Sequence, residues 1–253
     1  MRSVVFTDID ETLVRSAWRH APAPDWEEAA VDKFGQPVSW QNSADRAFFQ
    51  WLASAERVVA VTGRSIGAYQ RVRLPFRGPA IVHHGAVVLT ADGARDDGYR
   101  QTVERPLGAS SAVLSDAASR LMTSDFVTQG RLRVTTHLLD NLHVEVCAKR
   151  TDSAEGLVAD FIDEIHAEWR KLPGVRVHRN GNNLALLPGA VDKAVAVRWA
   201  QQALSREIGA FISVGAGDSD SDASFLAECD YVVLPRQSQI GGRLLNERYN
   251  DLT

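Results

Sequence analysis

The chain opens with Val4-Val5-Phe6-Thr7-Asp8-Ile9-Asp10-Glu11-Thr12-Leu13, and the reading of this stretch governs the rest. Its apolar, β-branched start has the pattern of a buried strand, and that strand ends on two aspartates spaced two residues apart. Open α/β folds bind ligands beyond the carboxyl ends of their parallel strands. An aspartate there can attack an electrophile or hold a metal while its neighbour moves a proton. The same pair could equally start a turn or cap a helix, so the other strand ends must decide.

Two further apolar runs end in a similar way. Val58-Val59-Ala60-Val61 leads into Thr62-Gly63-Arg64-Ser65, and Phe211-Ile212-Ser213-Val214 leads into Gly215-Ala216-Gly217-Asp218-Ser219-Asp220-Ser221-Asp222. Between them, Leu187-Pro188-Gly189-Ala190-Val191-Asp192-Lys193 precedes a helical pattern over 194–204. Neighbouring strands in one parallel sheet would bring these acids, the Thr62 hydroxyl and Lys193 together. Asp8, Asp10, Asp218 and Asp222 in one pocket would repel one another without a cation. Their hard oxygens favour Mg²⁺, which bridges readily to phosphate.

This ordered set resembles the haloacid dehalogenase superfamily of phosphotransferases. Asp8-x-Asp10-x-Thr12 is similar to its nucleophile motif, Thr62 to its second, Lys193 to its third and Gly217-Asp218-x-x-x-Asp222 to its fourth. The resemblance implies an α/β fold: a doubly wound, Rossmann-like parallel sheet core with an inserted α+β cap of the C2 type. It places the core at 1–84 and 188–253 and the cap, which selects substrate, at 85–187. The sequence around His84-Gly85-Ala86 is similar to the Cof-like branch and to the sucrose- and trehalose-phosphate phosphatases. Three positions depart from that pattern: His84 where asparagine is usual, Glu11 where glycine is usual, and Ser221 where asparagine is usual.

By resemblance, Asp8 is the nucleophile and Asp10 the proton donor and acceptor. Mg²⁺ would be held by Asp8, the Asp10 backbone carbonyl and Asp218, with Asp222 orienting waters or Lys193. Thr62, Gly63, Arg64, Lys193 and Asn183 are the expected substrate contacts. The activity implied is hydrolysis of a small phosphorylated metabolite, with a sugar phosphate favoured. A phosphomutase of the same fold, or a non-catalytic sensor of a phosphorylated ligand, stays open. In the insert, Arg133, His143, Arg179, Asn180, Asn182 and Asn183 could face the leaving group or simply solvent. His83 and His84 could touch substrate or satisfy backbone groups at a hinge.

Composition sets bounds. A length of 253 residues suffices for one large or two smaller domains, and a net charge of −4 gives no basic field for nucleic acid. No apolar run reaches the length of a membrane span, and no signal-peptide core follows Met1, so a cytoplasmic location is expected. Cys147 and Cys229 are isolated and expected as reduced, buried thiols. Lys193 is one of four lysines in an arginine-rich chain. Oligomeric state is not legible. The long connection over 14–42 holds Trp18, Trp26 and Trp40, and a short helix over 25–34 is expected there from the Asp25/Glu28 spacing. It reads as a packed excursion or as a flap bordering the site. Ser43 is expected to cap the helix that follows.

Overall fold

The computed structural model describes residues 2–151, 157–180 and 183–250. The chain divides into two compact units, 1–99 with 193–253, and 100–192.

The first unit starts with β1 (Arg2–Thr7), whose Val4, Val5 and Phe6 are buried. The 14–42 connection then folds as β2 (Arg15–Ser16), β3 (Glu27–Val31) and β4 (Pro37–Gln41), an antiparallel sheet in the order β2-β4-β3. The expected helix over 25–34 is therefore corrected. Glu27-Glu28-Ala29-Ala30 has local helix propensity, but pairing with β4 buries Ala29 and Ala30 and overrides it. Asp32 Oδ1 accepts from the backbone N–H of Phe34 and Gln36 and closes the turn between the two strands. Of the three tryptophans in this segment Trp18 is exposed, while Trp26 and Trp40 are half-buried.

Next comes α1 (Ser43–Leu52), packed through Phe49 and Leu52. Its cap is Asn42, one residue earlier than expected: Asn42 Oδ1 accepts from Asp45 N, and the Asp45 carboxylate accepts from Asn42 N in return. β5 (Arg57–Val61), a single turn α2 (Ile66–Tyr69), β6 (Ala80–Val82) and β7 (Val87–Leu89) follow. The turn after β7 runs through Asp92-Gly93, where Gly93 has φ 87°.

The second unit is built from α3 (Asp97–Met122) from residue 100 onward, α4 (Asp125–Thr128), β8 (Leu132–Leu139), β9 (Leu142–Arg150), α5 (Leu157–Trp169), β10 (Val175–Asn180) and β11 (Asn183–Pro188). Its strands form an antiparallel sheet in the order β10-β11-β9-β8. Leu114 and Leu121 of α3, Ile162, Ile165 and Trp169 of α5, and Val146, Leu184 and Leu186 of the sheet close one core. The sequence pattern expects a turn at Asn180-Gly181 and a helix over 156–169; residues 181 and 182 and Gly156 lie outside the described residues.

The chain returns to the first unit with α6 (Lys193–Ile208), β12 (Phe211–Ala216), α7 (Ala223–Leu226), β13 (Tyr231–Val233) and α8 (Gln239–Asn250). The six-stranded sheet has the order β13-β12-β1-β5-β6-β7, parallel except for β7. The expected boundary at 84/85 therefore moves to 99/100, because β7 pairs with β6 and Tyr99 donates its hydroxyl proton to Gly85 O at 2.5 Å. The boundary at 187/188 moves to 192/193, since Arg176 donates to Val191 O and Gly189 N donates to Gly174 O. Among the described residues no helix is long and apolar enough to cross a membrane.

Candidate active site

β12, β1 and β5 are adjacent and parallel, with Thr7 in register with both Ala216 and Ala60. The loops leaving their carboxyl ends therefore share one edge of the sheet. Asp8 follows β1, anchored by its N–H to Ala216 O at 2.8 Å. Thr62 follows β5, with its N–H on Ile81 O. Asp218 follows β12, and Lys193 opens α6.

Lys193 links this loop cluster. It is 4% exposed, and its Nζ donates to Asp8 Oδ1 at 3.0 Å and to Asp222 Oδ1 at 2.6 Å. Asp222 is fully buried. Its second oxygen accepts from Asp218 N, Ser219 N and Ser219 Oγ at 3.0–3.1 Å, which ties the loop after β12 to the lysine. A Cβ on Gly217 would lie 2.7 Å from that of Asp222, so this closure needs glycine there. Burial acts to raise the Asp222 pKa, but Lys193 and the Ser219 donors outweigh it and hold the carboxyl below its usual range.

Asp8, Asp218 and Asp222 are buried, and each offers an oxygen within 4.8 Å of the others. Burial raises the Asp8 pKa well above the ordinary carboxylate value; Lys193 opposes that, while Asp222, Asp10 and Asp218 add to it. Burial, then Asp222, pushes Asp218 up to about 7 against the pull of Lys193. One ammonium thus faces three crowded carboxylates, and burial, with the repulsion among them, raises two of the three. A hard, all-oxygen donor set with excess negative charge fits a divalent cation such as Mg²⁺.

Asp10 stands outside that trio. Both of its carboxylate oxygens accept from Arg64, at 2.6 and 2.9 Å, and Arg64 also donates to Ser39 Oγ of β4 at 3.2 Å. So the expected substrate contact Arg64 is held on the expected proton donor, and the strand insert supplies the third partner. Thr62 Oγ1 accepts from Arg64 N at 3.1 Å, which leaves its own proton to donate. Gly63 is closely covered: a Cβ would lie 2.4 Å from His84 Cε1. His83 is buried, and its Nε2 accepts from Ile66 N at 3.2 Å. These two histidines shape the loop after β5.

Asn183 belongs to the second unit, where its Oδ1 accepts from Cys147 Sγ at 3.2 Å. In the same unit Arg179 pairs with Asp163, His143 N donates to Ser111 Oγ, and Arg133 is exposed. Asn182 lies outside the described residues. Cys147 and Cys229 are free and half-buried, and burial pushes each thiol up to about 12.

Sequence reasoning missed two groups. Glu11 has φ 62° and accepts from Ser16 N and Ser16 Oγ, with His20 Nε2 at 2.8 Å from its other oxygen. The signal was the departure from glycine at a position that needs the left-handed region. Glu145 of β9 is 8% exposed, and burial pushes it up to about 7. Strand alternation assigns its face without showing that the face is covered.

No family model and no curated protein matches the chain. Solved structures do resemble it. The sucrose-phosphatase of Synechocystis sp. PCC6803 in complex with sucrose and phosphate aligns over 99% of both chains, with a TM-score of 0.59 and 14% identity. A trehalose-6-phosphate phosphatase related protein aligns over 91% of this chain and 85% of its own, with a TM-score of 0.53 and 21% identity. The C-terminal domain of trehalose-6-phosphate phosphatase from C. albicans aligns over 88% of this chain and 72% of its own, with a TM-score of 0.51 and 13% identity. At these identities the likeness is one of fold: a parallel-sheet core with an additional antiparallel α+β unit.

Proposed function

We propose that this chain is a Mg²⁺-dependent phosphatase that hydrolyses a small phosphomonoester, with a sugar phosphate favoured, through an aspartyl-phosphate on Asp8. The observation that carries the reading is Lys193 Nζ set between Asp8 and Asp222, with Asp218 beside them. A purely structural ion pair does not need a third, underneutralised carboxylate. Asp8 and Asp218, with the Asp10 main-chain carbonyl, are the proposed holders of the cation, whose chemistry would be to offset and polarise the phosphoryl oxygens.

In the first half-reaction an Asp8 oxygen attacks phosphorus and the bond to the leaving oxygen breaks. Asp10 gives its proton to that oxygen. Water then attacks the aspartyl-phosphate, Asp10 takes a proton from it, and inorganic phosphate leaves. Thr62 and the backbone N–H groups around Gly63 hold phosphoryl oxygens, while Lys193 offsets the charge on nucleophile and substrate. A phosphate dianion competes with Asp10 for Arg64, so substrate entry would release the Asp10 oxygens. The insertion between the second and third motifs supports a substrate-selecting cap role for the second unit, with Asn183 a proposed contact.

The test is phosphate release from a panel of sugar phosphates, nucleotides and p-nitrophenyl phosphate, with Mg²⁺ and with EDTA. Metal-dependent release that Asp8→Asn abolishes is the expected result. No release from any substrate by folded protein would overturn the reading in favour of transfer to a second sugar or of sensing.

A further inference from the structure

A cavity of about 590 Å³ in the first unit adjoins the acid cluster. Its volume is that of a small-molecule site. One wall comes from residues 11–45, including Arg15 of β2, and the other from residues 235–239 after β13. Asp218 lies in its lining, which makes the cavity continuous with the proposed catalytic centre.

Several of the charges lining it are already engaged within the unit. Asp45 is taken by Arg15, at 2.6 and 3.2 Å, and by the N-cap of α1. Glu11 is taken by Ser16 and His20. Arg236 makes no hydrogen bond or ion pair among the described residues, although it borders the cavity. Arg19, whose guanidinium carbon lies 4.3 Å over the Trp18 ring, also lines the cavity, and half-buried Trp26 adds a flat wall. The left-handed backbone at Glu11 is unfavourable for a residue with a side chain, and such strain persists where the side chain is needed. Here that side chain holds His20 against the cavity.

We propose that this cavity is an anion subsite, in which Arg19 and Arg236 receive a second phosphate or carboxylate and Trp26 lies along the carbon skeleton that bears it. Where that anion is the far end of the leaving group, the inference rests on the phosphatase reading; a free anion such as inorganic phosphate offers the same chemistry. Two measurements separate the sources. The first compares kcat/KM for a hexose bisphosphate with that for the matching monophosphate, in the intact chain and in Arg236→Gln and Arg19→Gln/Arg236→Gln. The second counts inorganic phosphates bound per chain by titration calorimetry in the presence of Mg²⁺.

A bisphosphate-to-monophosphate ratio that falls by roughly tenfold or more, the scale of one charged hydrogen bond, assigns the site to the substrate. An unmoved ratio with one phosphate fewer in the double variant assigns it to a free anion. If neither changes, the subsite is overturned. If the intact chain hydrolyses nothing but the double variant still binds one phosphate fewer, the phosphatase reading fails and the subsite stands.

Discussion

Glu145 gives the sharpest test of the electrostatics of the second unit. Its carboxyl, ordinarily near 4.5, is pushed to about 7 by burial. Below both values the group is protonated in the folded and unfolded chain and contributes nothing to pH dependence. Between them the folded protein keeps a proton that the unfolded chain releases, so stability falls as pH rises through this window. Above about 7 the loss is complete. The difference of roughly 2.5 pH units corresponds to about 3 kcal/mol at 1.36 kcal/mol per unit. His137 Nε2 lies 3.9 Å from Glu145 Oε2, beyond hydrogen-bond reach, and burial lowers its pKa. Glu145→Gln keeps the shape and removes the ionisation. Urea unfolding at about pH 4 and pH 8, followed through Trp169 in this unit's core, compares the two proteins. The variant should gain about 3 kcal/mol on the parent between those conditions. A difference that is the same at both would refute the reasoning.

Three further substitutions probe the first unit. Lys193→Met leaves Asp8 and Asp222 buried without their cation; the expected loss is about 3–5 kcal/mol, read as a lower melting temperature in EDTA, together with loss of phosphate release. Gly63→Ala puts a Cβ 2.4 Å from the His84 ring and should destabilise by about 1–3 kcal/mol in denaturant unfolding, with a raised KM as the loop shifts. Arg64→Gln frees both oxygens of Asp10 and removes the proposed phosphate donor. It should lower kcat/KM by roughly tenfold or more while the circular dichroism spectrum is unchanged.

The parallel core was legible because β1 and β5 are buried on both faces and read as continuous apolar runs, and β12, though only partly covered, ends like them in a polar loop. The same runs placed Asp8, Thr62 and Asp218 at one sheet edge. The three-stranded insert was not legible, since Glu27-Glu28-Ala29-Ala30 is locally helical and its strand pairing is a tertiary choice. The length of α3 was hidden by Gly98, Pro106 and Gly108, which read as breakers. β8 was missed together with the two-residue turn at Asp140-Asn141, whose φ values of 50° and 66° suit a tight hairpin. The Arg64–Asp10 clamp joins residues 54 apart in sequence, and no local pattern announces such a pair. Glu145 follows the same rule: its strand and face were readable, but its burial depends on packing that one strand cannot specify.

Hydrolysis through the proposed nucleophile requires that Asp8 become covalently phosphorylated during turnover. Rapid acid quench of the protein with its best substrate and Mg²⁺, followed by mass spectrometry of the peptide containing Asp8, measures that directly. The account predicts a phosphoryl adduct on Asp8 that disappears as substrate is consumed and never forms in Asp8→Asn. Hydrolysis that continues in Asp8→Asn, or turnover with no adduct at any quench time, would contradict it.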